Sequence, residues 1–224
     1  MTTTGIDHLG LERVLRRGTG EIIEQHEQAL FVRDTVSGAF LLACEDIALG
    51  REILSRRVVP SCRLLMVSDH TLGTEAFHQH GFSDLLECYQ AAWYGAAPQL
   101  TPELTVREAG EQDLPLLLSA YDLIGADELR QIVERKKLLL GYDGEQCVGF
   151  VGEHLEGSMG LLFVFPAFRR KGYAAALERF MISRTLAEGY TPFGQVEKNN
   201  PASLALQKKI GMTVSENLIS WMWR

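Results

Sequence analysis

The stretch LLFVFPAFRRKGYAAALERF, residues 161–180, constrains the fold more than any other part of this 224-residue chain. A short apolar run ends at Pro166, three cations follow at Arg169, Arg170 and Lys171, and Gly172 precedes a small-residue helix pattern. The stretch thus joins a strand to a helix through a short basic turn. The first N–H groups of the helix have no partner within it, and they and the positive end of the helix dipole favour an anion. Gly172 allows backbone conformations that side-chain-bearing residues resist. The same letters also fit a solvated basic turn. The turn matches neither the Walker pattern, which needs GK followed by Ser or Thr, nor the GxGxxG dinucleotide fingerprint.

The second half of the chain alternates clearly. LTVREAGEQDLPLLLSAYD predicts a short strand, then a helix with Asp113 as N-cap and Pro115 in its first turn. DELRQIVERKK continues as an amphipathic helix, and KLLLGYDGEQCVGFVGEH predicts a hairpin turning at Asp143-Gly144. SMGLLFVFP reads as a buried strand, TPFGQVEKNN as another, PASLALQKKIGM as a helix stopping near Gly211, and VSENLISWMWR as a last strand. The order is β-α-α-β-β-β-α-β-α-β, a mixed central sheet of the α/β (α+β) class.

The first half repeats the end of that order. CRLLMVSDHTLGTEAFHQHGFSDLLECYQAAWYG parallels FGQVEKNNPASLALQKKIGMTVSENLISWMWR, with Gly81 against Gly211 and Trp93 against Trp223. The proline-bearing segment GAAPQLTPE separates the halves, which predicts a degenerate N-terminal domain at 1–97 and a second domain at 104–224. Between GAFLLACE and CRLLMVSD, the first half lacks any Arg-x-x-Gly-x-Ala turn, so it reads as a scaffold or the wall of an acceptor site.

Composition narrows the function. A net charge of −7 opposes a nucleic-acid binder. No apolar run reaches the ~18–20 residues of a membrane span, and MTTTGIDHLGLERVLRRG lacks a signal-peptide core, so the chain reads as cytoplasmic with no membrane partner. Cys44, Cys62, Cys88 and Cys147 form no CxxC pair and read as reduced thiols. His70, His78 and His80 lack an accompanying ligand cluster, and no metal site is expected.

Taken together, the Val164-x-Pro166 strand end, the Arg169-x-x-Gly172-x-Ala174 turn, Asn200-x-x-Ser203, Leu206-x-x-Lys209-x-Gly211 and the VREAGEQDLP start resemble the GCN5-related N-acetyltransferase (GNAT) superfamily. The likeness is to its FR47-like, glycine N-acyltransferase-like branch and covers about residues 104–224. It implies acetyl-CoA or another acyl-CoA as co-substrate and a small amine or amino acid as acceptor, in a monomer or homodimer. The backbone from Arg169 or Arg170 through Lys171, Gly172, Tyr173 and Ala174 would hold the CoA pyrophosphate. Leu162, Phe163 and Val164 would pair with the pantetheine arm as an added strand does. Asn200 and Ser203 open the next helix, Asn200 either touching pantetheine or acting as an N-cap. The Arg170 and Lys171 side chains either meet phosphates or are solvated.

The resemblance also implies direct attack of the amine on the thioester, which needs positioning, an oxyanion donor near Leu162–Val164 and a base. Where many relatives carry a glutamate base this chain has Ser158. Glu153 and Glu197 are the candidate bases, with His154 and Glu156 close by. Where many relatives carry a tyrosine acid this chain has Gln207, so the thiolate leaves unaided or with help from a group such as Tyr173. These two departures keep a non-catalytic acyl-CoA-binding module open as the alternative.

Overall fold

The computed structural model describes residues 5–102 and 104–224. In chain order its elements are α1 (Leu9–Arg16), β1 (Gly20–Gln25), β2 (Ala29–Asp34), β3 (Phe40–Cys44), α2 (Ile47–Arg57), β4 (Leu64–Val67), α3 (His70–His80) and β5 (Asp84–Ala92). There follow β6 (Leu104–Glu108), α4 (Leu114–Ala120), α5 (Ala126–Glu134), β7 (Leu138–Asp143), β8 (Gln146–Glu153) and β9 (Met159–Val164). The last elements are α6 (Tyr173–Ala187), β10 (Phe193–Glu197), α7 (Pro201–Ile210) and β11 (Thr213–Trp223). The predicted order of the second half is present element for element. The run from β1 to β5 has the same succession of strands and helices as the run from β7 to β11.

The described residues form two compact units. The first runs through Ala91 and adds Gln195–Leu204 and Val214–Arg224. Its strands lie in the order β1-β2-β3-β4-β11-β5. β3 and β4 are parallel through Leu42↔Val67, and β11 runs antiparallel to β4 from Ser220↔Val67 to Trp223↔Leu64. Alternation along β2 sends Phe31 to one core with Leu65, Val67 and Met222, and Leu30 and Val32 to the other with Leu41, Met66 and Trp221. Asp46 and Asp69 cap α2 and α3, their carboxylates accepting from Ala48 and Leu72 N–H at 2.8 and 2.7 Å.

The second unit comprises Ala92–Gly194 and Ala205–Thr213. β6, β7, β8 and β9 are consecutive antiparallel neighbours, and β10 enters parallel to β9 at Gly194↔Met159. Leu117, Leu129 and Ile132 from α4 and α5 cover one face with Leu138, Leu140, Phe150 and Leu161. α6 packs on the strands through Ala175, Ala176, Leu177, Met181 and Ile182. Asp113 departs from expectation. Its side chain does not cap α4 but turns back to accept from Gly110 N–H at 2.8 Å and from both terminal nitrogens of Arg107 at 2.7 Å. A bidentate guanidinium competes better for the carboxylate than one helix N–H does.

The last strand of each half has found its partner in the other. β11 pairs with β4, while Lys198, just past β10, donates its N–H to Glu87 of β5 at 2.9 Å. The four cysteines are free; Cys44, Cys62 and Cys88 are buried. No helix among the described residues is long and apolar enough to cross a membrane.

Candidate functional site

The strand that enters the basic turn is irregular at a definite point. β9 pairs with β8 at Glu153↔Met159 and Gly152↔Gly160, then resumes at Phe150↔Phe163 and Gly149↔Val164. Leu161 and Leu162 therefore oppose one residue of β8, which is a β-bulge. Leu161 has φ 49°, left-handed for a branched side chain, and its side chain is locked in the core. Towards β10, Gly194 pairs in parallel with Met159. Beyond the bulge, Leu162–Val164 continue as extended strand.

The turn then has the backbone features that favour an anion. Arg169 is extended (φ −64°, ψ 155°), Arg170 is left-handed at φ 64°, and Gly172 is left-handed at φ 91° before α6 begins. Such alternation of hand curls successive N–H groups around a concavity. α6 has no side-chain cap, and Ala176 is the first residue to bond within the helix, to the Gly172 carbonyl at 3.1 Å. The N–H groups of Tyr173, Ala174 and Ala175 are thereby left for a ligand. A Cβ on Gly172 would meet nothing within 4 Å, so conformation rather than space requires glycine here. The first half gives the contrast. The equivalent start, at α2, is occupied by the Asp46 carboxylate, which accepts from both Ala48 and Leu49 N–H.

The side chains of the turn divide their work. Arg169 Nε donates to the Val164 carbonyl at 3.0 Å and its guanidinium lies 5.8 Å from the Phe163 ring centroid, fixing turn to strand. Lys171 Nζ lies 5.4 Å from the Phe168 ring centroid. Arg170 is exposed and has no ion-pair partner among the described residues. Tyr173 donates its hydroxyl to Asp143, which also pushes the phenol's pKa up. Asn200 Oδ1 accepts from Ser203 N–H at 3.0 Å, which is the N-cap geometry for α7.

The acidic residues fall into separate environments. Glu153 is buried 3.0 Å from Lys137 Nζ, with Thr185 Oγ1 at 3.4 Å. Glu197 is exposed at the end of β10. At the β8–β9 connection a tighter group forms. The His154 N–H donates to the Ser158 carbonyl at 2.8 Å, and buried Ser158 donates its hydroxyl to the carboxylate of buried Glu156. Glu156 thus places a carboxylate beside the Ser158 hydroxyl. The His154 ring lies over Gly160, where a Cβ would come within 2.5 Å of Nε2, and Nδ1 is 3.8 Å from Glu128 of α5. Burial lowers the histidine's pKa, but the Glu128 and Glu156 carboxylates outweigh it and the net shift is upward from 6.5. Sequence reasoning named His154 and Glu156 but missed Glu128, since nothing in the amphipathic pattern of α5 ties it to a later hairpin.

A second pair was also hidden. Gln207 of α7 donates its Nε2 to Glu178 of α6 at 2.7 Å, both side chains being buried. Two surface cavities lie elsewhere. One of about 440 Å³ is lined by Glu108, Arg130, Glu134 and Lys136, and one of about 530 Å³ in the first unit by Asp7, His8, Glu45, His70 and Glu216. No group of three or more potential metal ligands occurs among the described residues.

Residues 142–221 match the family described as FR47-like protein. A Drosophila protein aligns at a TM-score of 0.66 and 14% identity, covering 100% of this chain and 96% of its own. A GCN5-related N-acetyltransferase-like protein from Streptococcus suis aligns at 0.60 and 14% identity, covering 96% and 92% of the two chains. A GCN5-related N-acetyltransferase from Kribbella flavida aligns at 0.59 and 10% identity, covering 97% and 93%. At these identities the likeness is one of fold. No curated protein matched.

Proposed function

We propose, for a chain whose residues 142–221 match the family described as FR47-like protein, an acyl-CoA-dependent N-acyltransferase of the GCN5-related kind, with acetyl-CoA as donor and a small amine or amino acid as acceptor. The observation that carries this reading is the uncapped, left-handed entry into α6 directly after a bulged strand. A pyrophosphate fits the first and a pantetheine arm the second.

In this reading the N–H groups from Arg170 to Ala174 hold the pyrophosphate, Arg170 adds charge, and the arm runs back along Val164, Phe163 and Leu162. The thioester then lies at the bulge, where the irregular backbone supplies an N–H to the developing oxyanion. The amine nitrogen attacks the thioester carbon, the N–C bond forms, and the C–S bond breaks with the electron pair leaving on sulfur. His154 Nε2, beside the bulge over Gly160, takes the nitrogen's proton, while Glu128 at Nδ1 orients the ring and stabilises the imidazolium. Glu128 and Glu156 also favour a cationic acceptor. Glu153, committed to Lys137, serves the fold in this reading, and Glu197 remains a reserve base. The residues 1–97 are proposed as a diverged duplicate of 104–224 whose own anion site was closed by Asp46.

Calorimetric titration with acetyl-CoA, followed by measurement of CoA release with an amine panel, tests the reading. Binding in the micromolar range with amine-dependent CoA release is expected. Binding without release would reduce the protein to a CoA-binding module, and no binding at millimolar ligand would refute the site. Replacing His154 with asparagine should lower kcat about 10²- to 10⁴-fold and leave acetyl-CoA affinity intact.

A further inference from the structure

The cavity of about 530 Å³ in the first unit takes no part in the mechanism above. It lies where the parallel strands β3 and β4 end, beside the first residues of α3 and the first half of β11. The carboxyl ends of parallel strands are where α/β sheets commonly take ligands. β3, α2 and β4 hold the places in the element order of the first half that β9, α6 and β10 hold in the second. The chemistry is reversed. Asp46 and Asp69 accept from N–H groups at the starts of α2 and α3. The cavity wall carries the carboxylates of Asp7, Glu45, Asp69 and Glu216, with no lysine or arginine among the described residues.

The wall also holds polar atoms that the fold leaves unsatisfied. Ser68, 6% exposed, lies in the wall, and its hydroxyl has no hydrogen-bond partner among the described residues. Alternation along β4 sends it to the face of Met66, where α1 packs and where Asp7 and His8 precede that helix. Asp7 Oδ1, His8 Nδ1 and His70 Nδ1 are shielded from solvent and are without partners as well. Two of these side chains are anchored by their other atoms. Asn217 Nδ2 donates to Asp7 Oδ2 at 3.2 Å, and His70 Nε2 is 3.1 Å from Glu87, which also pairs with Lys198. Burial pushes the His8 pKa below 6.5 against the pull of Asp7 and Glu45, so its ring is neutral at pH 7 and adds no positive charge. A buried hydroxyl and a shielded carboxylate oxygen without partners are costly until a ligand completes them.

We propose that this cavity is a binding site for a small aliphatic diammonium ion, held by the carboxylates of Asp7, Glu45, Asp69 and Glu216 and by the Ser68 hydroxyl. An alkyl diamine brings N–H donors to oxygen and nitrogen atoms that lack them, and positive charge to a wall whose fixed charges are negative. Glu45 and Glu216 are exposed while Asp7 and Asp69 are half-buried, a spread that suits two separated charges. Among the described residues no three potential ligands converge as a metal ion requires, whereas a longer organic cation reaches carboxylates that lie apart. The inference stands apart from the acyltransferase reading, because every residue in it belongs to the first unit.

Calorimetry of the full chain with cadaverine, n-pentylamine, glutarate, and magnesium and zinc ions tests the site in wild type, E45Q/E216Q and S68A. Wild type should bind one cadaverine per chain, bind n-pentylamine about 10-fold more weakly and ignore glutarate. E45Q/E216Q, altered only at exposed positions, should keep its melting temperature and bind cadaverine about 10-fold more weakly. S68A should bind it about 5-fold more weakly with no loss of melting temperature, because a hydroxyl that no protein group bonds does not hold the fold together. In wild type alone, the ring-proton NMR signals of His8 and His70 should shift with cadaverine. No binding of cadaverine at millimolar ligand, binding that both variants leave unchanged, or binding with both histidine signals unmoved would overturn the proposal. So would n-pentylamine bound as tightly as cadaverine, or a metal ion that binds more tightly and weakens in the same variants.

Discussion

Replacing Gly172 with valine addresses the anion site through backbone geometry alone. Gly172 sits at φ 91°, and a Cβ there would have open space, so the substitution introduces no clash. Holding a β-branched residue in that conformation costs about 2–3 kcal/mol. Because nothing lies within 4 Å of the Cβ position at residue 172, that residue can relax to negative φ in the free protein, and CoA must restore the curled backbone on binding. The cost therefore appears in affinity, as roughly 30- to 150-fold in Kd. Gly189 provides the control. It is left-handed at φ 85° just past the other end of α6, again with nothing within 4 Å of its Cβ position. Calorimetry with acetyl-CoA and a thermal melt, run on G172V and G189V together, separate the effects. G189V should lose stability and keep its Kd; G172V should lose affinity. Equal Kd losses in the two variants, or an unchanged Kd in G172V, would refute the argument that this turn's conformation is held for a ligand.

Three further outcomes follow from the same geometry. Transfer must depend on neutral His154, and the carboxylates raise its pKa above 6.5, so kcat/KM should climb with pH through that raised value; H154N should abolish this limb in a stopped-assay profile. Changing Lys137 to methionine removes one partner of buried Glu153 and should cost about 1–3 kcal/mol in urea unfolding while leaving kcat unchanged. Asp113 is held below its ordinary 3.8, first by its hydrogen bond from Arg107 and against burial. Its stabilisation is complete above pH 3.8 and is lost as pH falls through the lowered value. D113N should be about 1 kcal/mol less stable than wild type at pH 7, with the gap closing in acid.

Much of the fold was legible because its signals are local. The strand ending at Pro166, the hairpin at Asp143-Gly144 and the helix ending at Gly211 depend on residues within a few positions of one another, and Gly144 and Gly211 are left-handed as such ends require. The turn at 169–172 could be located, but the left-handed state of Arg170 and Leu161 could not, since neither residue type announces it. Asp113 looked like a helix cap because a cap is the local option; Arg107 competed for it across six positions. The exchange of β5 and β11 was illegible for a plainer reason. The two strands have similar patterns, and a pattern specifies a buried face without specifying a neighbour. The His154–Glu128 and Glu178–Gln207 pairs join elements distant in sequence, and such pairs become visible only once packing is known.

The central claim is that an amine attacks a CoA thioester held by β9 and the start of α6, with no acyl-enzyme. Mass spectrometry of a single turnover with [acetyl]-CoA tests it most directly. N-acetylated amine and free CoA should appear in equal amounts, with the protein's mass unchanged throughout. CoA release matched by an acetylated protein, or bound acetyl-CoA that no amine in the panel discharges, would contradict it.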